Sequence, residues 1–123
     1  MINKTIGILM PGDMGHGCGK VFIDNNFKVV SCLNGRSERT KKLARAAGII
    51  SLPTIENLIQ SADIILSILP PESALKQSKI VNDIILKVKK NITYVDCNAI
   101  SPKTAKLIDK SISSEFCNFI DAG

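Results

Sequence analysis

Residues 6–19 read Ile-Gly-Ile-Leu-Met-Pro-Gly-Asp-Met-Gly-His-Gly-Cys-Gly, an apolar run that passes directly into a glycine-punctuated turn. Ile6, Ile8 and Leu9 have the unbroken apolar character of a parallel strand buried on both faces, and Gly12 and Gly15 let the backbone bend or approach a ligand closely. Met14, Cys18, Val21 and Phe22 come next at helical spacing and predict an amphipathic helix with its apolar stripe along those four positions. A helix that starts here aims its free N–H groups and the positive end of its dipole at the turn. An anion can then be held without a basic side chain.

In the G-x-G-x-x-G register of dinucleotide-binding turns, the first glycine position holds Met10, then Pro11, and only Gly12 and Gly15 are in place. An ordinary tight strand-to-helix turn reads the same way, so the motif gains meaning only from the strands and helices around it. Downstream of the turn the chain alternates regularly. Strand-like segments at 4–9, 28–33, 48–51, 63–68, 92–96 and 116–121 are separated by helix-like segments at 13–25, 37–47, 54–60, 73–89 and 102–113. This pattern predicts a single α/β domain, a Rossmann-type doubly wound parallel sheet with helices on both faces. In the longest helix, Ile80, Val81, Ile84, Ile85 and Val88 form one stripe, with Lys76, Lys79, Asp83, Lys87 and Lys90 over much of the remaining surface. Ser101 before Pro102 reads as a helix start, and Gly48 as a helix C-terminus.

The 123 residues suffice for one core but not for a cofactor domain plus a substrate domain. With 45% hydrophobic residues the chain is too apolar for disorder, yet its apolar runs fall well short of the roughly 20 residues that span a bilayer. No membrane partner is expected. The first residues leave no room for a secretory signal, which predicts a cytoplasmic protein. Cys18, Cys32, Cys97 and Cys117 are widely spaced, form no C-x-x-C pair and have only His16 as a possible co-ligand, so they are expected to be small core residues, with no metal. The net charge of +5 is spread over several helices and comes with one tyrosine and no tryptophan, so no nucleic-acid partner is expected.

In a doubly wound sheet, ligands collect at the carboxyl ends of the strands near the point where strand order reverses. The candidate turns are therefore Met10 to Gly15, Asn34 to Ser37, Leu69 to Pro71 and Asn98 to Ser101. About 20 positions past the glycine turn, an acidic residue usually takes the ribose 2′-hydroxyl of NAD, whereas an arginine accommodates the 2′-phosphate of NADP. Here the segment is Leu33-Asn34-Gly35-Arg36-Ser37, with no acid before Glu38. The fork of Arg36 and the hydroxyl of Ser37 suit a phosphate, which predicts NADP as cofactor. Arg39, Lys41, Lys42 and Arg45 extend the cationic cluster along the next helix. Asn98 can donate to and accept from a nicotinamide amide or a substrate carboxylate, whereas Asp96 is expected to fix the turn. His16 is expected to be solvated, and no nucleophile–base pair stands out.

Ile-Gly-Ile-Leu-Met-Pro-Gly-Asp-Met-Gly, Asn-Gly-Arg-Ser, Ser-Ile-Leu-Pro-Pro and Val-Asp-Cys-Asn-Ala-Ile-Ser-Pro occur in an order and spacing that resembles the N-terminal cofactor domain of the β-hydroxyacid dehydrogenases. That family includes 6-phosphogluconate and 3-hydroxyisobutyrate dehydrogenases. The resemblance covers nearly the whole chain. It implies that Gly12, Asp13 and Met14 lie against the pyrophosphate, Arg36 and Ser37, beside Asn34, at the 2′-phosphate, and Ile68, Leu69 and Pro70 along the cofactor. Asn98 stands where many members carry a serine near nicotinamide and substrate. Met10-Pro11 in place of Gly-Leu or Gly-Met marks a divergent branch.

Members of that family continue past the position of Gly123 into a substrate loop and a helical domain, which supplies a lysine acting as general acid and base. The resemblance therefore implies an NADP-binding domain of a hydroxyacid oxidoreductase that is not catalytically complete alone. Its expected partner is a helical substrate domain or a second subunit. A stand-alone NADP-binding sensor or interaction module would use the same pocket, and a truncated, non-functional product is the third alternative.

Overall fold

Six strands pair in parallel to form one sheet in the computed structural model, which describes residues 4–9, 13–69, 71–98, 101–112 and 115–122, without the side chains of 13–16 and 71. The strands are β1 (Thr5–Leu9), β2 (Lys28–Ser31), β3 (Ile50–Ser51), β4 (Ile64–Ser67), β5 (Ile92–Asp96) and β6 (Cys117–Asp121). Between them run α1 (Asp13–Asp24), α2 (Glu38–Ala47), α3 (Ile55–Ser61), α4 (Pro71–Val88) and α5 (Pro102–Ile112). The spatial order is β3-β2-β1-β4-β5-β6. The chain winds outward from β1 to β3, returns to place β4 beside β1, and winds outward again to β6. The expected doubly wound sheet is present, and its order reverses between β1 and β4.

Strand alternation divides the core between two faces. Ile6, Ile8, Val29 and Leu66 pack with Ala44 and Ala47 of α2 and with Phe22 and Ile23 of α1. On the opposite face Val30, Ile65, Ile92 and Tyr94 meet Leu58 and Ile59 of α3, Val81 and Ile85 of α4, and Ile108 and Ile112 of α5. Each fully buried Val, Leu or Ile among them contributes roughly 1.5–3 kcal/mol. Gly7 is what lets α3 approach β1: a Cβ there would lie 2.8 Å from Leu58 Cδ2 and 3.0 Å from Ile65 Cδ1.

The helix start at Ser101 and the helix end at Gly48 are where the sequence places them, and Ser37 and Thr54 are caps as well. Ser37, Thr54 and Ser101 accept hydrogen bonds from the N–H groups of Thr40 (3.2 Å), Asn57 (3.0 Å) and Thr104 (3.1 Å). Gly48, at φ 90°, closes α2 by donating to the carbonyls of Ala44 and Arg45.

Several finer expectations are corrected. Val21 is 59% exposed, because the buried stripe of α1 is centred on Gly19, Phe22 and Ile23, and residue 21 projects well away from it. Ile80 is 39% exposed, since Ala74, Val81 and Ile85 set the buried direction of α4 and residue 80 lies about 100° from it. Strand β2 ends at Ser31 rather than 33, where the chain turns to bring Asn34 and Arg36 over the sheet. Of the four thiols, all free, only Cys117 is buried; Cys18, Cys32 and Cys97 are half-buried. At the β6 edge, Ile120 remains 49% exposed beside half-buried Val95.

Candidate functional site

The carboxyl ends of β1 and β2 open into a cleft of about 90 Å³ lined by Ile8, Leu9, Cys32, Asn34, Arg36, Ile55, Leu58 and Gln77. Its floor is apolar sheet and its polar groups come from the β2 exit and from α4. The β2 exit is shaped by a turn in which Arg36 N–H donates to Leu33 C=O at 3.0 Å, and Gly35 takes φ 80°. The Asn34 amide donates to the Pro53 carbonyl, and the Cys32 thiol reaches the same oxygen at 3.7 Å. These contacts tie the β2 exit to the segment that starts α3. Arg36 follows this turn half-buried in the lining of the cleft.

One strand over, a second polar arrangement closes the exits of β4 and β5. Asn98 is only 5% exposed. Its Oδ1 accepts from Leu69 N–H at 2.7 Å, its Nδ2 donates to Ser67 Oγ at 3.3 Å, and its own N–H donates to Asp96 Oδ1 at 2.8 Å. Asp96 therefore fixes the turn as expected. Its Oδ2 is buried without a hydrogen-bond partner, and burial pushes its carboxyl above the usual carboxylate range, with Asp121 across the β5–β6 register adding to the effect and the Asn98 N–H opposing it. Burial likewise raises the Cys97 thiol.

Beside it the buried Tyr94 hydroxyl is pushed up to about 12, by burial first. Ser67 is near enough to moderate that rise, but the hydroxyl makes no hydrogen bond of acceptable geometry.

Of the candidate residues, Asn34 and Arg36 line the first cleft, while Leu69 and Asn98 are hydrogen-bonded to each other with Ile68 adjacent and half-buried. Ser37 is exposed and engaged as the α2 cap. Gly12 and Pro70 lie outside the described residues, as do Met10 and Pro11. Asp13 and Met14 belong to the first turn of α1, at the carboxyl end of β1, and their side chains, like that of His16, are outside the described set. Ser67, Gln77, Ile55 and Leu58 were not foreseen. Ser67 reads as an interior strand residue, and Gln77 as one of many polar positions on α4. Only their position beside the strand ends sets them apart.

Residues 5–123 match the family model described as the NAD binding domain of 6-phosphogluconate dehydrogenase. The chain belongs to this family. One relative of this NAD-binding domain is an uncharacterized 28.5 kDa protein from the 7S RNA 5′ region of Methanothermus fervidus, 35% identical over 116 residues, which cover 94% of this chain and 43% of that protein. Among solved structures, the conserved protein MTH1747, of unknown function and described as structurally similar to 3-hydroxyacid dehydrogenases, superposes with a TM-score of 0.81 at 25% identity. The match covers 94% of this chain and 41% of that one. The fold is shared too with Mycobacterium tuberculosis 3-hydroxyisobutyrate dehydrogenase, solved with L-serine, at a TM-score of 0.80 and 17% identity, covering 98% and 40% of the two chains. This NAD-binding domain thus spans about two-fifths of the length of these relatives. Among the described residues, no helix is long and apolar enough to cross a membrane and no group of three or more His, Cys, Asp or Glu could hold a metal ion.

Proposed function

We propose that this domain binds NADP in preference to NAD and serves as the cofactor half of a hydroxyacid oxidoreductase. The observation that carries the reading is Arg36, half-buried in the cleft at the carboxyl end of β2, where no acid precedes Glu38 to take a free 2′-hydroxyl. The residues suit a dinucleotide: an apolar cleft rimmed by an amide and a guanidinium for the adenosine end, and a helix N-terminus after β1 for the pyrophosphate. Gly12, Asp13 and Met14 would contact the pyrophosphate, Asn34, Arg36 and Ser37 the 2′-phosphate end, and Ile68, Leu69 and Pro70 the path toward nicotinamide. When bound, the cofactor supplies a carbon that exchanges hydride with a substrate C–H.

This chain's own residues orient and enclose. Asn98 already uses its Oδ1 on Leu69, so toward nicotinamide or substrate it offers a remaining Nδ2 hydrogen while holding the two turns together. The group that takes the hydroxyl proton would come from a helical domain or second subunit outside these 123 residues. Four free thiols support residence in the reducing cytoplasm.

Calorimetric titration with NADPH and with NADH tests the reading, since the chain has no tryptophan to report by fluorescence. NADPH should bind more tightly. Arg36→Ala should remove a charge-assisted contact of roughly 1.5–3 kcal/mol, weakening NADPH on the order of tenfold to a hundredfold and leaving NADH nearly unchanged. Equal losses for both cofactors would remove Arg36 from the 2′-phosphate. Binding of neither by folded protein would overturn the cofactor reading.

A further inference from the structure

Asn34 and Gly35 are the one Asn-Gly pair in the chain, and every other asparagine precedes a residue that carries a Cβ. Asparagine amides are among the chemically labile groups of proteins, and a glycine next in sequence leaves its backbone nitrogen open to approach the amide carbon. The fold keeps this pair accessible. Both residues are exposed, and nothing lies within 4 Å of a Cβ built on Gly35. They are the central residues of a turn closed by the 3.0 Å bond from Arg36 N–H to Leu33 C=O, with Gly35 at φ 80°. Arg36 adjoins the pair and α2 begins at Glu38, so a guanidinium and the positive end of a helix both favour negative charge on the Gly35 nitrogen. Asn98 is the contrast: it is 5% exposed, and its amide is bonded through both Oδ1 and Nδ2.

We propose that Asn34 is a site of spontaneous deamidation, and that the reaction unties the β2 exit from the start of α3. The Gly35 nitrogen gives its proton to a solvent base and bonds to Asn34 Cγ, closing a five-membered succinimide while Nδ2 leaves as ammonia. Water then opens the ring. Breaking the new N–Cγ bond leaves aspartate at position 34, and breaking the original peptide bond leaves isoaspartate. The net change is amide plus water to carboxylate plus ammonium, with nothing oxidised or reduced. In the unmodified chain the Asn34 amide donates to the Pro53 carbonyl. A carboxylate cannot donate and repels that oxygen, which leaves Pro53 with the Cys32 thiol at 3.7 Å. The new negative charge also enters the lining of the two pockets that Asn34 borders, with Arg36 in one and with Lys41 and Arg45 in the other.

The test incubates the folded chain in mildly alkaline buffer, digests it with trypsin at intervals and follows peptide 29–36 by mass and by isoaspartyl methyltransferase labelling, against a sample digested at once. That peptide should gain acid and isoaspartate with time, ahead of every other asparagine-containing peptide and faster as the buffer is made more alkaline. Asn34→Gln should abolish the labelling, and Gly35→Ala should slow it severalfold. Asn34→Asp, which carries the product side chain, should unfold at a lower temperature than wild type, and the aged protein should shift toward it. If peptide 29–36 stays intact in the folded chain while a urea-unfolded sample modifies it, the turn protects the pair and the proposal is overturned. Earlier modification at another asparagine overturns it as well. A wild-type thermal midpoint for Asn34→Asp would refute the loss of the tie to α3.

Discussion

The Oδ1 of Asn98 accepts a 2.7 Å hydrogen bond from the Leu69 N–H, joining turns 29 residues apart at the exits of neighbouring strands β4 and β5. Because this site is buried, the Leu69 N–H has no water to turn to when the acceptor is removed. Asn98→Ala should therefore cost about 1–3 kcal/mol in urea unfolding, with an unchanged m-value. Asn98→Ser, which would install the residue many members of the β-hydroxyacid dehydrogenase family are expected to carry here, should cost a similar amount, since the serine oxygen ends one bond earlier. Wild-type stability in either variant would mean that the Asn98–Leu69 bond carries little net stability.

Tyr94 presents the reverse situation: its hydroxyl is buried and unbonded, while its ring stacks on Phe119 at a centroid distance of 6.3 Å and 27° between planes. Tyr94→Phe keeps the ring and removes only a desolvated polar group. Stability should stay level or rise by up to about 1 kcal/mol. A loss greater than that would mean Ser67 bonds the hydroxyl in solution.

The sheet was legible in the sequence because apolar runs such as Ile64 to Leu66 alternate with helices, and the helix ends at Gly48 and Ser101 use local chemistry that needs no tertiary knowledge, whereas Ser37 read as a phosphate ligand and is the cap of α2. Arg36 was singled out by its distance from the glycine turn, and the fold sets it in the cleft at the end of β2. What periodicity could not supply was the direction of a side chain when several helical registers were nearly equivalent, as for Val21 and Ile80. Nor could it reveal the partners that Asn98 finds in Ser67 and Leu69, since those depend on which strands become neighbours. Lys41 and Arg45 read as part of a general charge cluster, and only the fold sets them in one pocket with Ile49 and Ser51.

Gly7 and Gly17 should respond oppositely to alanine. At Gly7 the new methyl would meet Leu58 Cδ2 at 2.8 Å, Ile65 Cδ1 at 3.0 Å and Ala62 Cβ at 3.2 Å, so α3 must shift or its side chains leave their rotamers. Such overpacking costs typically about 1–3 kcal/mol. At Gly17, exposed on α1, nothing lies within 4 Å of the added atom, and Gly17→Ala should stabilise by about 0.5–1 kcal/mol through helix propensity. Thermal or urea unfolding of the two variants checks both signs. A stabilised Gly7→Ala protein would contradict the close approach of α3 to β1.

Asp96 predicts how stability changes with pH. Its folded-state carboxyl titrates above the ordinary value of 3.8, chiefly because burial disfavours the charge, so the folded protein holds this proton over a range where the unfolded chain has released it. Stability from this group is therefore greatest below about pH 3.8, declines as pH rises through the raised folded value, and is level above it. Asp96→Asn keeps an oxygen to accept from the Asn98 N–H but cannot ionise. The stability of the variant relative to wild type should rise across that window and then become constant, as read from urea midpoints between about pH 4 and 8. A difference independent of pH would place the ionised Asp96 carboxylate in a well-solvated site, and a difference that falls with rising pH would mean that the charge is stabilised by a partner.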